Sequence, residues 1–160
     1  MRALKSRFQR LFLILTGLTL TIVASATLAQ QFADTLHSRV VTQKEAKLDQ
    51  FDWGTLQTYY QGETYGTKDG LTAVAVIKPG MEIHPPHQHA EEEHLMVIEG
   101  QGAWHLNGND FTAHKGDILY AAPWEMHGIK NTGTAPLTFV VWKWNNKALP
   151  VPAQPATGNK

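Results

Sequence analysis

The stretch richest in chemistry reads Gly80-Met81-Glu82-Ile83-His84-Pro85-Pro86-His87-Gln88-His89-Ala90-Glu91-Glu92-Glu93-His94. Five of the eight histidines of the chain lie between His84 and His105. In extended backbone, residues two apart project to the same side. His87 and His89 therefore share a face, and Glu93 joins them by parity, while His84 and His94 have the opposite parity. Two imidazoles and a carboxylate converging on one side of a β-scaffold are donors that a first-row divalent metal takes. The alternation continues behind them: Leu95 and Val97 go with the ligand side, and His94, Met96 and Ile98 turn away. If the ligand side is a barrel interior, Leu95 and Val97 form its dry wall.

The remaining histidines carry weaker signals. His37, His105 and His114 read as surface or satisfied side chains, His94 as outward, and Glu91-Glu92 as a solvated charge run beside Glu93. His84 keeps two readings, because Pro85-Pro86 resets the chain direction before His87. It either stays outside or reaches the pocket mouth as a donor or proton shuttle.

Composition narrows the chemistry further. The chain has 160 residues, 14 Lys+Arg against 14 Asp+Glu, and no cysteine. Without cysteine there are no disulfides, thiolate metal sites, Fe–S clusters or Cys nucleophiles. A balanced charge offers no basic face for nucleic acid. With 42% hydrophobic and 18% charged residues, most of the chain has the means to bury a core. No Ser-His-Asp order, phosphate loop or second pair of acids stands outside the histidine cluster.

The elements that must position the cluster read as strands. Thr55 to Tyr60 is rich in β formers, and Lys68-Asp69-Gly70 then supplies a turn. Leu71 to Ile77 is an apolar run ended by Pro79-Gly80. His94 to Glu99 follows, closed by Gly100; Trp104-His105-Leu106 and Asp110-Phe111-Thr112 flank Asn107-Gly108, a strong hairpin signal. Asp117 to Tyr120 and Leu137 to Trp144 complete the set, and no apolar pattern recurs at helical spacing after Phe51. Short, near-regular strands with turn residues between them predict an all-β sandwich or barrel.

The two ends are set apart from this body. Arg2, Lys5, Arg7 and Arg10 precede an uncharged stretch from Leu11 to Ala24, and small residues follow at Ala24-Ser25-Ala26 and Thr27-Leu28-Ala29. This is the three-part pattern of a secretory signal peptide, 1–29, cleaved after Ala26 or Ala29. An uncleaved anchor would need about 20 apolar residues, so no stable membrane anchor is expected. Removing the leader takes four positive charges and leaves a mildly acidic chain. Export without cysteine points to a periplasmic or secreted protein. Residues 30–50 read as a polar lead-in, 51–147 as the β-barrel domain, and 148–160, with Pro150, Pro152 and Pro155, as a disordered tail.

His87-x-His89-x3-Glu93-x6-Gly100, followed by Gly116, Pro123 and His127-x3-Asn131, resembles the two motifs of the cupin superfamily. The resemblance spans about Leu71 to Trp144. It departs from the pattern in two places: six residues rather than five separate Gly80 from His87, and Glu125 stands where a Gly follows Pro123, with His127 one place early. The resemblance implies an antiparallel jelly-roll β-barrel, single-domain after the leader, with His87, His89, Glu93 and His127 as metal ligands. It implies one divalent ion, Fe, Mn, Zn, Ni or Cu; imidazole suits most of these, and the carboxylate shifts weight towards Mn and Fe. Four protein donors leave open positions on a metal that prefers five or six, for water or a substrate oxygen.

Cupins with this ligand set include dioxygenases, isomerases, lyases and decarboxylases, so the resemblance does not select a reaction. The expected function is metal-assisted chemistry on a small oxygenated molecule, a carboxylate or sugar derivative, and the resemblance implies a homodimer joined by outer strands. Tyr120 and Trp124 near an apolar mouth would also accept an aromatic ring, and Trp104, Trp142 and Trp144 are further candidates to line it. The alternative is a non-catalytic periplasmic cupin that captures a small ligand or metal. A second titratable group beside the metal favours the enzyme, and a purely apolar lining favours capture.

Overall fold

A computed structural model describes residues 37–156; the leader expected at 1–29 lies outside the described residues. Its strands are β1 (Lys47–Phe51), β2 (Gly54–Gly62), β3 (Thr67–Ile77), β4 (Glu92–Glu99), β5 (Gln101–Leu106), β6 (Asn109–His114), β7 (Ile118–Ala121), β8 (His127–Lys130) and β9 (Leu137–Asn146). They pair antiparallel into a six-stranded sheet ordered β1-β2-β3-β9-β4-β7 and a three-stranded sheet ordered β6-β5-β8. This two-sheet arrangement agrees with the all-β reading of the strand and turn pattern and with the antiparallel jelly-roll barrel that the resemblance implies.

Alternation decides which side chains fill it. Along β4, Glu93, Leu95 and Val97 are buried, while His94, Met96 and Ile98 are not. Along β9 the buried positions are Leu137, Phe139 and Val141. Registration sets these rows side by side: Leu95 lies opposite Val141, and Phe139 lies between Val97 on one neighbour and Ala75 on the other. The small Ala73 and Ala75 on β3 leave room for the large Phe139 and Val141 beside them. Trp104 on β5 and Ile129 on β8 close the core from the second sheet.

The turns differ in how well local residues announce them. Asn107 and Gly108 have φ of 49° and 83° and join Leu106 to Asn109, as a two-residue hairpin with left-handed centres requires. The turn expected at Lys68-Asp69-Gly70 is instead a bulge inside β3. Pairing with β9 shifts register between Lys68 and Leu71, and Asp69 has a φ of 56°. The buried Asn145 amide donates to the Asp69 carboxylate at 3.1 Å. A bulge uses the same left-handed residue as a turn but keeps the strand going because a partner strand is present on β9.

Both flanking segments are more tied down than their composition suggests. Lys47 to Gln50, within the stretch read as polar lead-in, pair with Thr55 to Thr58 as β1. The tail read as disordered has no regular secondary structure through Ala156, and the Trp124 indole donates to the Pro152 carbonyl at 2.7 Å. Proline removes backbone donors but leaves its own carbonyl free to accept, and that carbonyl is what anchors the tail.

Candidate metal centre

The loop before β4 and the start of β8 are stitched together at the candidate site. His87 and His127 form an antiparallel bridge in which each backbone N–H donates to the other's carbonyl, at 2.9 and 2.8 Å. Gly128 permits this approach, because a Cβ there would sit 3.2 Å from the Cα of Pro86. The Pro85-Pro86 step thus lies directly against β8, and the His87 ring is delivered beside the His127 ring with centroids 4.7 Å apart. The His89 ring lies 5.1 Å from His87 and 4.8 Å from His127. Glu93, buried at the start of β4, completes the group from the large sheet.

Hydrogen bonds set the tautomers. His127 Nδ1 donates to the Glu125 carbonyl at 2.8 Å, and His89 Nδ1 donates to the Glu91 carbonyl at 3.1 Å. In a neutral ring this places the lone pair on Nε2. Both Nε2 atoms face the same carboxylate, His89 at 3.2 Å from Glu93 Oε2 and His127 at 3.5 Å from Glu93 Oε1. His127 Nε2 and His87 Nδ1 are buried without a hydrogen-bond partner. Lone pairs converging on a carboxylate repel unless a proton or a cation lies between them. That requirement, with these donors, fits a divalent ion.

The spacing agrees. Ligand atoms of His87, His89 and His127 lie within 4.8 Å of one another. Nitrogens bound to one ion at about 2.1 Å would stand closer together than this, so binding would need the rings to move inward.

The protonation behaviour follows the same geometry. Burial, reinforced by His84, His127 and His89 nearby, lowers the His87 pKa to about 4, so this ring is a neutral donor at ordinary pH. Burial works to raise the pKa of Glu93, but the facing His127 and His89 rings outweigh it and hold the carboxyl at about 2. For His127, burial works downward, and the Glu93 carboxylate with the Glu125 carbonyl lifts the pKa above the ordinary imidazole value. A proton on His127 is favoured by the facing carboxylate, so protons compete with a metal ion for this nitrogen.

The turn that leads into His127 carries strain. Trp124 has a φ of 65°, a left-handed conformation that a bulky side chain adopts at a cost of roughly 1–3 kcal/mol. Its N–H donates to the His89 carbonyl at 2.7 Å, and its indole is held by Pro152. The glycine-like position of this turn is therefore Trp124, and a bond to His89 itself holds it in place.

A cavity of about 180 Å³ opens on the histidines, with a wall mostly of Leu, Ile, Phe and Val side chains. His84 is exposed but lies on its lining, with its ring centroid 4.0 Å from that of His87, which puts it at the cavity mouth. Lys143 lines it as well. The aromatic candidates do not. Tyr120 is exposed and donates to Glu92, Trp104 is buried in the core, and Trp124 is turned to the tail. Trp142 pairs across from His94, on the outward parity of β9, and Trp144 stacks on that same His94.

Two contributors were missed in the sequence. Glu91, read as solvated, lies with Oε2 3.3 Å from His89 Nδ1 and Oε1 3.7 Å from Lys143 Nζ. The signal for Lys143 was available: it has the parity of Phe139 and Val141 on the apolar run that ends the domain.

A family model described as a cupin domain matches residues 73–143. An oxalate-binding protein of Thermotoga maritima is 31% identical over 78 residues, 49% of this chain and 64% of that protein. A gentisate 1,2-dioxygenase of a Streptomyces species is 28% identical over 82 residues, 51% of this chain and 23% of that enzyme. The chain thus spans less than two thirds of the length of either curated relative. An uncharacterized conserved protein with a double-stranded β-helix domain from Klebsiella pneumoniae has the same fold, with a TM-score of 0.55 and 26% identity, over 70% of this chain and 94% of its own.

Proposed function

The chain belongs to the cupin superfamily, and from that premise we propose that it holds one divalent metal ion through His87, His89, Glu93 and His127 and acts on a small oxygenated molecule. The observation that carries this reading is the meeting of three imidazoles and Glu93, with buried ring nitrogens lacking partners, at an apolar cavity. When bound, the ion would supply a Lewis acid for a substrate oxygen. His84 and Lys143 provide titratable or charged groups on the same cavity, which favours chemistry over simple capture. Capture of a small ligand without turnover is the second reading, supported by the mainly apolar wall.

Elemental analysis of the purified protein, followed by incubation of the metal-loaded form with a panel of small carboxylic acids and sugars, separates the readings. One divalent ion per chain with consumption of a compound supports the enzyme. One ion with tight binding and no consumption supports capture. A chain that takes up no divalent ion at neutral pH defeats the metal centre and with it the enzyme.

Protons and the metal compete for the same lone pairs, which fixes the sign of the pH dependence. Because the His127 pKa lies above the ordinary value, apparent metal affinity should already fall as pH drops through that raised pKa, by about tenfold per pH unit for each proton displaced. His87 adds a second loss only in acid, near its value of about 4. Competition with a chromophoric chelator across pH checks this; an affinity that is flat between neutral pH and moderate acid contradicts it.

The chain is also proposed to be exported, with residues 1–26 or 1–29 removed, as the basic start and apolar stretch suggest. Intact-mass measurement of protein expressed with its leader in a bacterial host should give one of these two truncations. A mass retaining the leader would overturn export by this route.

A further inference from the structure

We propose that Lys143 is the specificity-determining residue of the cavity, and that it selects small apolar carboxylic acids by binding their carboxylate. The proposal rests on reading this cavity as a small-molecule site, but Lys143 itself needs no metal to act.

Four observations point to it. Lys143 pairs in register with Glu93 across β4 and β9, so its side chain enters beside the ligand group. Among the described residues that line the cavity, it is the one Lys or Arg. Its nearest acidic neighbour is Glu91, which forms an ion pair with it at 3.7 Å between Oε1 and Nζ, longer than the 2.7–3.2 Å of a hydrogen bond. Glu91 is also shared with His89, so the ammonium keeps donors free for a ligand. Finally, the side chain is only 27% exposed, and a charge held at the edge of an apolar cavity is screened less than one in open water.

The same cavity limits the rest of the ligand. Leu56, Leu71, Ile83 and Ile129 offer an apolar wall without donors, so the ligand's body should be hydrophobic. A cavity of about 180 Å³ is little larger than the ~150 Å³ known to admit benzene, which limits that body to about one ring. The ligand class is therefore a monocarboxylic acid with a single ring or an aliphatic body of similar size. A neutral isostere fills the same volume but gives Lys143 no charge to bind.

The test uses the full chain loaded with zinc, which has no redox chemistry, and a matched pair of probes: benzoate and its neutral counterpart benzamide. Calorimetric titration of the parent should show benzoate bound about tenfold or more tightly than benzamide, as expected for one charge-assisted hydrogen bond. Lys143→Met keeps the aliphatic stem. It should shrink that preference by weakening benzoate about tenfold, with benzamide affinity and zinc per chain unchanged. Lys143→Arg, which keeps the charge, should restore most of the preference. The proposal is overturned if Lys143→Met leaves benzoate binding intact, if it weakens both probes equally, or if the parent binds neither. Repeating the titrations without zinc separates the two readings: a parent that takes no zinc yet keeps the Lys143-dependent preference defeats the metal centre and upholds the inference.

Discussion

His89→Ala and His127→Ala should each lower metal affinity by about 100-fold or more, since even losses in the groups that merely orient ligands cost 10–100-fold. His94→Ala should leave it within a few-fold of the parent. The contrast follows from where the rings point. His89 and His127 direct Nε2 at Glu93, whereas His94 lies on the opposite face of β4, stacked on Trp144 and against Tyr120. The two ligand variants are not equivalent as tests. His127 is 1% exposed, so its truncation also opens a hole in the packing, and some lost affinity would reflect a loosened site. His89 is half-buried and its loss reads coordination more directly. Metal per chain, measured after equilibration against a chelator of known affinity, checks the series. A site emptied by His94→Ala but kept by His89→Ala would mean that β4 is registered one residue away from its assigned pairing, since a one-residue slip exchanges the two faces.

The second large effect is expected at a residue that touches no ligand. Asn131→Ala should destabilise the fold by about 3–5 kcal/mol, because one buried amide satisfies three backbone groups that truncation would leave unpaired. Its Nδ2 donates to the Ile77 carbonyl at 2.8 Å and to the Ala135 carbonyl at 2.9 Å, and its Oδ1 accepts from the Gly133 N–H at 2.9 Å. The side chain is fully buried, so water cannot replace those partners. Its backbone also bonds Met81 and Gly80, which ties the end of β8 to the segment leading into His87. Urea unfolding should show a lower midpoint with an unchanged slope, the mark of lost stability without altered compactness. A loss below about 1 kcal/mol would mean that the loop relaxes to pair these groups another way.

How much of this was legible in the sequence depends on the range of the interaction concerned. The alternation around Glu93 is a property of one extended strand, and it needs no partner to place Leu95 and Val97 with the carboxylate and His94 opposite. Asn107-Gly108 encodes its turn in the same local way, because few residues tolerate two successive left-handed conformations. Lys68-Asp69-Gly70 presents similar residues, yet becomes a bulge because β9 is available to continue the pairing there. That difference is not local, and three residues cannot specify it.

Residues that read alike by composition were separated by registration. Trp142 and Lys143 are neighbours on β9: parity puts Lys143 with Phe139 and Val141 and Trp142 opposite, and the position of β9 between β3 and β4 is what brings the Lys143 side to the histidines. Glu91 and Glu92 look like one charge run, but the chain enters β4 at Glu92, leaving Glu91 on the loop beside His89 and Lys143. The chain by itself determined the alternation of Glu93, Leu95 and Val97 and the hairpin, both set by backbone geometry over a few residues, and the recurrence of short strands and turns made the fold all-β. The tertiary structure alone decided the His87–His127 bridge, the place of His84 at the cavity mouth and the meeting of Lys143 with Glu91, because each depends on which distant segments share a boundary.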